Sequence, residues 1–210
     1  MTRVFLLRHG ETDWNATGRL QGSTDVPMNA RGLEQVEAAA RVLGARLPEG
    51  TLVVSSPLAR ARVTAEVIAA VTGTTIVFDD RMKERSYGAW EGMTAAEREE
   101  HDAVEVARWH AGVEPRIEGY EDHLSVTSRA VACIEDHADD APAVVFAGHG
   151  STSRLAVRVM MHLPLDGWNL GPLGNASWAE LERADDGEWR LVSYNVSASP
   201  IEHPLPTDNA

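Results

Sequence analysis

The sequence predicts a three-layer α/β/α fold with a mostly parallel sheet, an antiparallel edge and a small helical cap. Apolar runs alternate with helical patterns from residue 4 to about residue 161, which is typical of a parallel sheet covered by helices on both faces. Two segments of alternating polarity flank Asp185-Asp186-Gly187, a turn signal that predicts a hairpin. The charged stretch 93–122 interrupts the strand–helix rhythm and is expected to form the cap.

Short apolar runs are the predicted strands of the parallel part of the sheet. They cover residues 4–7, 52–54, 75–78 and 143–147. Runs of this kind are typical of strands that are buried on both faces. The two hairpin strands, predicted at 177–181 and 189–192, would add the antiparallel edge.

Helical patterns lie between these strands. The longer ones cover residues 29–47, 56–71, 124–137 and 152–161. Asn29 is the expected N-cap of the first helix, and Ser56 with Pro57 at the first helical position is expected to open the second. Residues 1–210 are therefore expected to form a single domain, with shorter, charged helices in the cap-like insertion at about 93–122.

The composition excludes several classes of function. The 210 residues are 43% hydrophobic and 24% charged, as in ordinary globular proteins, and the formal net charge is −13. Nucleic acids and anionic membranes bind basic surfaces, so neither is expected as a partner. One cysteine allows no disulfide within the chain, and no segment has transmembrane length, so a cytoplasmic protein is expected. The oligomeric state is left open, with a homodimer among the possibilities.

Cationic and titratable residues follow three of the predicted strands. Arg8 and His9 come directly after the first strand. Arg60 lies in the first turn of the helix after the second strand, and His149 follows the fourth. Because the carboxyl ends of parallel strands meet at one edge of a sheet, we expect these side chains in one pocket. Helix N-termini at the same edge also favour an anion, which predicts a phosphate site.

Each segment also has a simpler explanation when it is taken alone. Residues 8–10 are a common loop sequence, and residues 55–60 fit a helix cap followed by a solvated cation. Residues 148–150 fit a turn with a structural histidine. The expected meeting of all three at one sheet edge is what favours a functional site.

The same segments, with one more, occur in the order of a known family signature. They are Leu7-Arg8-His9-Gly10-Glu11-Thr12, Ser55-Ser56-Pro57, Glu84-Arg85-Ser86-Tyr87-Gly88-Ala89-Trp90-Glu91-Gly92 and Gly148-His149-Gly150. This pattern resembles the histidine phosphatase superfamily, which includes cofactor-dependent phosphoglycerate mutases and many phosphatases. The resemblance implies the α/β fold of that family and phosphoryl-transfer chemistry.

The resemblance also implies roles for individual residues. His9 would be the nucleophile that carries the phosphoryl group, and its other ring nitrogen would stay protonated and donate to a backbone carbonyl near Gly10. Glu84 would be the general acid and base, because a carboxyl group beside a dianionic phosphate holds a proton more readily. The phosphate and substrate would be bound by Arg8, Asn15, Gln21, Gly22, Arg60, Tyr87, His149 and Gly150. A ring of fixed cations stabilises the transferred group without a metal or cofactor, and none is expected.

Three functions remain open, and a phosphatase acting on a small phosphorylated metabolite is the favoured one. The segment 93–122 holds nine acids, three arginines and no lysine, and Ala95 stands where mutases of the family place a substrate-binding lysine. An acidic, short cap disfavours a bisphosphate intermediate and admits water. The run from Glu84 to Gly88 is close to the mutase form, so a phosphoglycerate mutase is the main alternative. A non-catalytic phospho-ligand binding module is the third.

Several other residues have structural explanations that compete with functional ones. Glu11 is expected to hold an arginine rather than to act on substrate. Cys133 is expected to fill the core, and the histidines other than His9 and His149 show no paired metal-ligand spacing. The aromatic residues that either line a sugar subsite or pack in the core are Trp14, Trp90, Trp109, Tyr120 and Trp168.

Overall fold

A mixed six-stranded sheet forms the centre of the computed structural model, which describes residues 2–167 and 169–198. The strands are β1 (Thr2–Arg8), β2 (Leu52–Ser55), β3 (Ile76–Phe78), β4 (Ala143–Gly148), β5 (Trp178–Arg183) and β6 (Trp189–Val196). Their spatial order is β3-β2-β4-β1-β5-β6. The first four pair in parallel, whereas β5 pairs antiparallel with β1 and β6 antiparallel with β5. The predicted parallel sheet with an antiparallel edge is confirmed.

The helices lie between the strands, and the four longer predicted ones lie close to their predicted positions. They are α1 (Asp13–Ala16), α2 (Ala30–Gly44), α3 (Ala59–Thr72), α4 (Ala95–His110), α5 (His123–Ala138) and α6 (Gly150–Met160). Asn29 caps α2 as predicted, because its side chain accepts a hydrogen bond from the Gly32 amide at 2.8 Å. The predicted start of α3 is wrong. Its N-cap is Leu58 rather than Ser56, so Pro57 precedes the helix.

Two hydrophobic clusters cover the two faces of the sheet. The strand β1 alternates between them: Val4 and Leu6 point to one face, and Phe5 and Leu7 to the other. On the first face α5 and α6 supply residues such as Ile134, Ala156 and Met160, and on the second α2 and α3 supply Val36, Leu43 and Ile68. Cys133 is fully buried in the first cluster, as expected for a core residue. The arrangement is the predicted three-layer fold.

The segment 93–122 contains α4, which consists of two short helical stretches that meet at Asp102, a residue with non-helical backbone angles (φ −159°, ψ 79°). This agrees with the predicted short, charged helices. The capping box of Thr94 and Glu97 begins α4. Trp109 and Val106 from this segment join a third cluster, separate from the two sheet faces, that also contains Leu20, Tyr87 and Trp90. The segment therefore contributes to this third cluster and not to the two that cover the sheet faces.

Within the ranges that the structure describes, no helix is both long and apolar enough to cross a lipid bilayer.

Candidate active site

The carboxyl ends of β1, β2 and β4 bring the predicted phosphate-binding residues together. His9 follows β1, and its amide donates to the Gly148 carbonyl at the end of β4, at 3.0 Å. The rings of His9 and His149 lie edge to face with their centroids 5.3 Å apart. Arg60 projects from the first turn of α3 and is fully buried. These side chains, far apart in sequence, thus share one pocket.

His9 has the tautomer that a nucleophile requires. Its Nδ1 lies 2.7 Å from the Gly10 carbonyl oxygen, which accepts only from a protonated ring nitrogen. The lone pair is therefore on Nε2. Burial lowers the pKa of His9 well below its ordinary value, and the positive charges of Arg60 and Arg8 lower it further. A neutral imidazole with a free Nε2 is ready to attack phosphorus.

Both arginines of the pocket are anchored by backbone carbonyls, which leaves part of each guanidinium for a ligand. Arg8 donates from Nη1 to the Leu173 carbonyl at 2.5 Å. Arg60 donates from Nη2 to the Gly22 carbonyl at 2.7 Å and from Nη1 to the Thr24 carbonyl at 2.8 Å. The Nε atoms of Arg8 and Arg60 are buried and donate to no described residue. Burial lowers the pKa of Arg60 to about 10, so it stays charged at neutral pH.

His149 adds a neutral donor to the same pocket. Its Nε2 lies 2.9 Å from the Ser56 hydroxyl oxygen, which also accepts from the Leu58 amide. When the Ser56 hydroxyl donates to Nε2, the ring proton of His149 is on Nδ1. That Nδ1 is buried and has no partner among the described residues. Burial, Arg60 and His9 hold the pKa of His149 well below its ordinary value. In that tautomer, Arg8, Arg60 and His149 offer three buried N–H groups that suit an oxyanion.

The side chain of Glu84 contacts the N-terminus of α6, the helix that begins directly after His149. Its carboxylate accepts from the Ser151 amide at 3.0 Å and from the Thr152 amide at 2.9 Å. The Thr152 hydroxyl donates to the same carboxylate at 2.8 Å. These bonds fix the side chain at the edge of the sheet where the histidines lie, the position that a proton carrier for the leaving group needs.

Asn15 is oriented by residues on both sides. Its Oδ1 accepts from the Thr12 amide at 3.2 Å and from Nδ2 of Asn175 at 3.1 Å, so its own Nδ2 is left as a donor. Asn175 also donates to the His9 carbonyl at 3.2 Å. The sequence-based site did not include Asn175. Asn175 lies just before β5, which pairs with β1 and so returns the chain to His9.

The remaining predicted binding residues line the same region. Gly22 has φ +55°, a conformation that favours glycine, and its carbonyl anchors Arg60. Gln21 precedes it and is buried. A Cβ at Gly150 would lie 3.2 Å from Nε of Arg8, so glycine leaves room for that guanidinium. Tyr87 is 4% exposed, and burial and then Glu84 raise the pKa of its hydroxyl.

Other expectations concern residues around the pocket. Glu11 accepts from Nδ2 of Asn29 at 3.1 Å and lies 3.7 Å from Arg31, so it holds the start of α2. Trp90 and Trp109 are buried in the third cluster, whereas Trp14 and Tyr120 are partly exposed, and Trp168 lies outside the described residues.

Among the residues that the structure describes, one group has metal-ligand spacing. Side-chain atoms of Asp79, Cys133 and His137 lie within 4.8 Å of one another. Asp79 is already paired with Arg81 at 2.7 Å. Cys133 and His137 belong to α5, and Asp79 directly follows β3, so none of the three is a residue of the histidine pocket.

Comparison with known proteins identifies the family. Residues 4–197 match the model of a family described as "Histidine phosphatase superfamily (branch 1)". The chain belongs to the histidine phosphatase superfamily. It is 34% identical to a glucosyl-3-phosphoglycerate phosphatase of Mycolicibacterium vanbaalenii, over 93% of this chain and 95% of that protein. A solved mycobacterial glucosyl-3-phosphoglycerate phosphatase in complex with VO3 superposes with a TM-score of 0.84 and 33% identity, covering 94% of this chain and all of that one.

Mutases are also among the relatives in this superfamily. A probable phosphoglycerate mutase of Escherichia coli is 34% identical over 97% of this chain and 86% of its own length. The predicted membership of the histidine phosphatase superfamily and the predicted enzyme class, a phosphatase, are confirmed.

Proposed function

We propose that this histidine phosphatase hydrolyses a small phosphomonoester without a metal, through a phosphohistidine on His9. The observation that carries the proposal is the geometry of His9. Its Nδ1 is held by the Gly10 carbonyl, which leaves the lone pair on Nε2, and Arg8, Arg60 and His149 of the same pocket each keep a buried nitrogen without a partner among the described residues. Phosphoryl transfer chiefly needs a positioned nucleophile and stabilisation of the charge on the equatorial oxygens, and this pocket supplies both.

The reaction would have two steps. In the first, Nε2 of His9 attacks phosphorus, the bond to the ester oxygen breaks, and Glu84 gives its proton to the leaving alkoxide. In the second, Glu84 takes a proton from water, the water oxygen attacks phosphorus, and the bond to His9 breaks. Glu84 loses a proton in the first step and regains one in the second, so its protonation state is restored after a full turnover. Asn15 would donate from Nδ2 to the phosphate, because its Oδ1 is already occupied.

For the substrate, we propose a phosphorylated sugar or glycerate derivative, with glucosyl-3-phosphoglycerate as the first compound to test. Its support is the similarity to glucosyl-3-phosphoglycerate phosphatases over nearly the whole chain. Residues 93–122 would act as a cap in a single domain, because their cluster around Trp90 and Trp109 includes Tyr87, a predicted substrate-binding residue.

A phosphoglycerate mutase is the second candidate, favoured by the identity with the probable mutase of Escherichia coli. A mutase binds the second phosphate and the carboxylate of a bisphosphate intermediate with additional cations. The acidic composition of residues 93–122, which contain no lysine, opposes that requirement.

Release of phosphate from para-nitrophenyl phosphate tests the proposal. We expect steady turnover by the wild type, no turnover by His9→Ala, and normal turnover by His162→Ala, whose side chain is 81% exposed. Specificity constants for glucosyl-3-phosphoglycerate and other sugar phosphates would then rank the substrates. Interconversion of 3- and 2-phosphoglycerate with a bisphosphate primer would favour the mutase. Phosphate binding without turnover would favour a binding module.

A further inference from the structure

Glu91, at the end of the third sequence motif, binds the loop of residues 22–24. Its Oε1 accepts from the Ser23 amide at 2.9 Å and the Ser23 hydroxyl at 3.0 Å. Its Oε2 accepts from the Thr24 amide at 3.0 Å and the Thr24 hydroxyl at 2.5 Å. One carboxylate thus holds both consecutive N–H groups of this loop.

Arg60 binds the same loop through its carbonyl groups. Its two terminal nitrogens donate to the carbonyls of Gly22 and Thr24 at 2.7 and 2.8 Å. The loop is therefore held between Glu91 on its N–H groups and Arg60 on its C=O groups. Because both terminal nitrogens of Arg60 are used in this way, the position of the loop determines where the Nε edge of the guanidinium points.

The Glu91 site requires a group that only accepts hydrogen bonds. The Tyr87 amide also donates to Oε1, at 3.1 Å, so each oxygen accepts from at least one backbone N–H group, which can only donate. Burial would raise the pKa of Glu91, but hydrogen bonds from Thr24, Ser23 and Tyr87 outweigh it, and the pKa is lowered. A Cβ at Gly22 would lie 2.2 Å from Oε1, so the carboxylate also needs glycine there.

We infer that Glu91 is a positioning residue for phosphate binding: it fixes loop 22–24 so that Arg60 presents its free Nε to the phosphoryl group. The inference rests on the proposed function of the pocket. The hydrogen bonds of Glu91 go to Ser23, Thr24, Ser86 and Tyr87 and not to His9. Its Tyr87 bond additionally ties the phosphate-binding loop to the segment that begins at Glu84.

Glu91→Gln is the direct perturbation, because it keeps the size of the side chain and replaces one acceptor oxygen by an NH₂ group. That group would face the donors of Thr24, or those of Ser23 and Tyr87, and the loop must shift. We expect the Ki of orthovanadate and the KM of para-nitrophenyl phosphate to rise about tenfold. Glu97→Gln is the matched control, since Glu97 is an exposed acid of the same region and glutamine also suits its capping box.

A double-mutant cycle separates positioning of Arg60 from a general structural role. Lysine at position 60 keeps the charge but lacks both the rigid planar fork that binds the two carbonyls and the Nε group that Glu91 is inferred to position. In the Arg60→Lys background, Glu91→Gln should therefore change the vanadate Ki by less than about twofold. A tenfold effect that persists in that background would overturn the inference. So would a variant that melts at a lower temperature but keeps the wild-type Ki.

Thr24→Val provides a second variant in case Glu91→Gln does not fold. Thr24 is exposed, and the change removes only the hydroxyl that donates to Glu91. We expect about a threefold rise in the vanadate Kd, measured by calorimetry. Because vanadate binding needs no turnover, a wild type that binds it without hydrolysing any ester contradicts the proposed function alone. If the vanadate Kd is unchanged in both Thr24→Val and Glu91→Gln, the inference alone is contradicted. If Glu91→Gln does not fold, an unchanged Kd in Thr24→Val is enough to contradict it.

Discussion

Neutral histidines in the pocket predict that the protein loses stability as the pH falls below about 7. Burial lowers the pKa of His9 and of His149 well below its ordinary value, and it lowers the pKa of His123 to about 4. In the unfolded chain these residues titrate near pH 6.5. The unfolded state therefore binds more protons in this range, so each histidine makes folding less favourable as the pH decreases.

The size of the effect follows from proton linkage. Each histidine that stays neutral in the fold lowers the free energy of unfolding by about 1.4 kcal/mol between about pH 7.5 and 5.5. The wild type should thus lose about 4 kcal/mol over this interval from His9, His149 and His123. Carboxylates with a lowered pKa, such as Glu91, act in the same direction but titrate at lower pH, outside this interval.

Urea unfolding at the two pH values, in buffers without phosphate, measures the difference. His9→Gln and His149→Gln should each reduce the pH-dependent loss by about 1.4 kcal/mol, because glutamine does not titrate. The control is His162→Gln, since that side chain is 81% exposed. A His9→Gln variant with the full wild-type pH dependence would refute the assignment of a neutral His9.

Further predictions concern packing, orientation and metal independence. Gly10→Ala places a Cβ 2.2 Å from the Gly32 carbonyl oxygen, and we expect a loss of about 3 kcal/mol in urea unfolding; an unchanged midpoint would contradict the close approach of these backbones. Asn175→Ala removes the donor to Asn15 and to the His9 carbonyl, and kcat/KM for para-nitrophenyl phosphate should fall about tenfold; wild-type kinetics would exclude this orienting role. Dialysis against EDTA should leave the turnover rate unchanged, and a loss restored by a divalent cation would disprove metal independence.

Much of this architecture could be predicted from sequence, because it depends on local patterns. Alternating apolar runs and helical periodicity were sufficient for the order of strands and helices and for the shared edge of His9, Arg60 and His149. The start of α3 was predicted too early. Ser56, expected as its cap, bonds instead to His149, a partner 93 residues away. A local pattern carries no information about such a contact.

The missing parts of the site depend on tertiary contacts in the same way. Asn175 reaches His9 because β5 pairs antiparallel with β1. Glu91 belongs to a sequence motif, but the role inferred for it depends on hydrogen bonds to Thr24, which lies 67 residues earlier in the chain. Both act through hydrogen bonds whose partners only the fold brings together, so their residue types alone indicated nothing specific.

The fate of the phosphoryl group on His9 is the central claim, and rapid alkaline quenching of the reaction tests it most directly. Mass spectrometry of the peptide that contains His9 should show one added phosphoryl group during turnover, and this group should disappear as inorganic phosphate forms. Glu84→Gln should slow both its formation and its loss. Turnover at the wild-type rate with no phosphorylated His9 at any quench time would contradict the account.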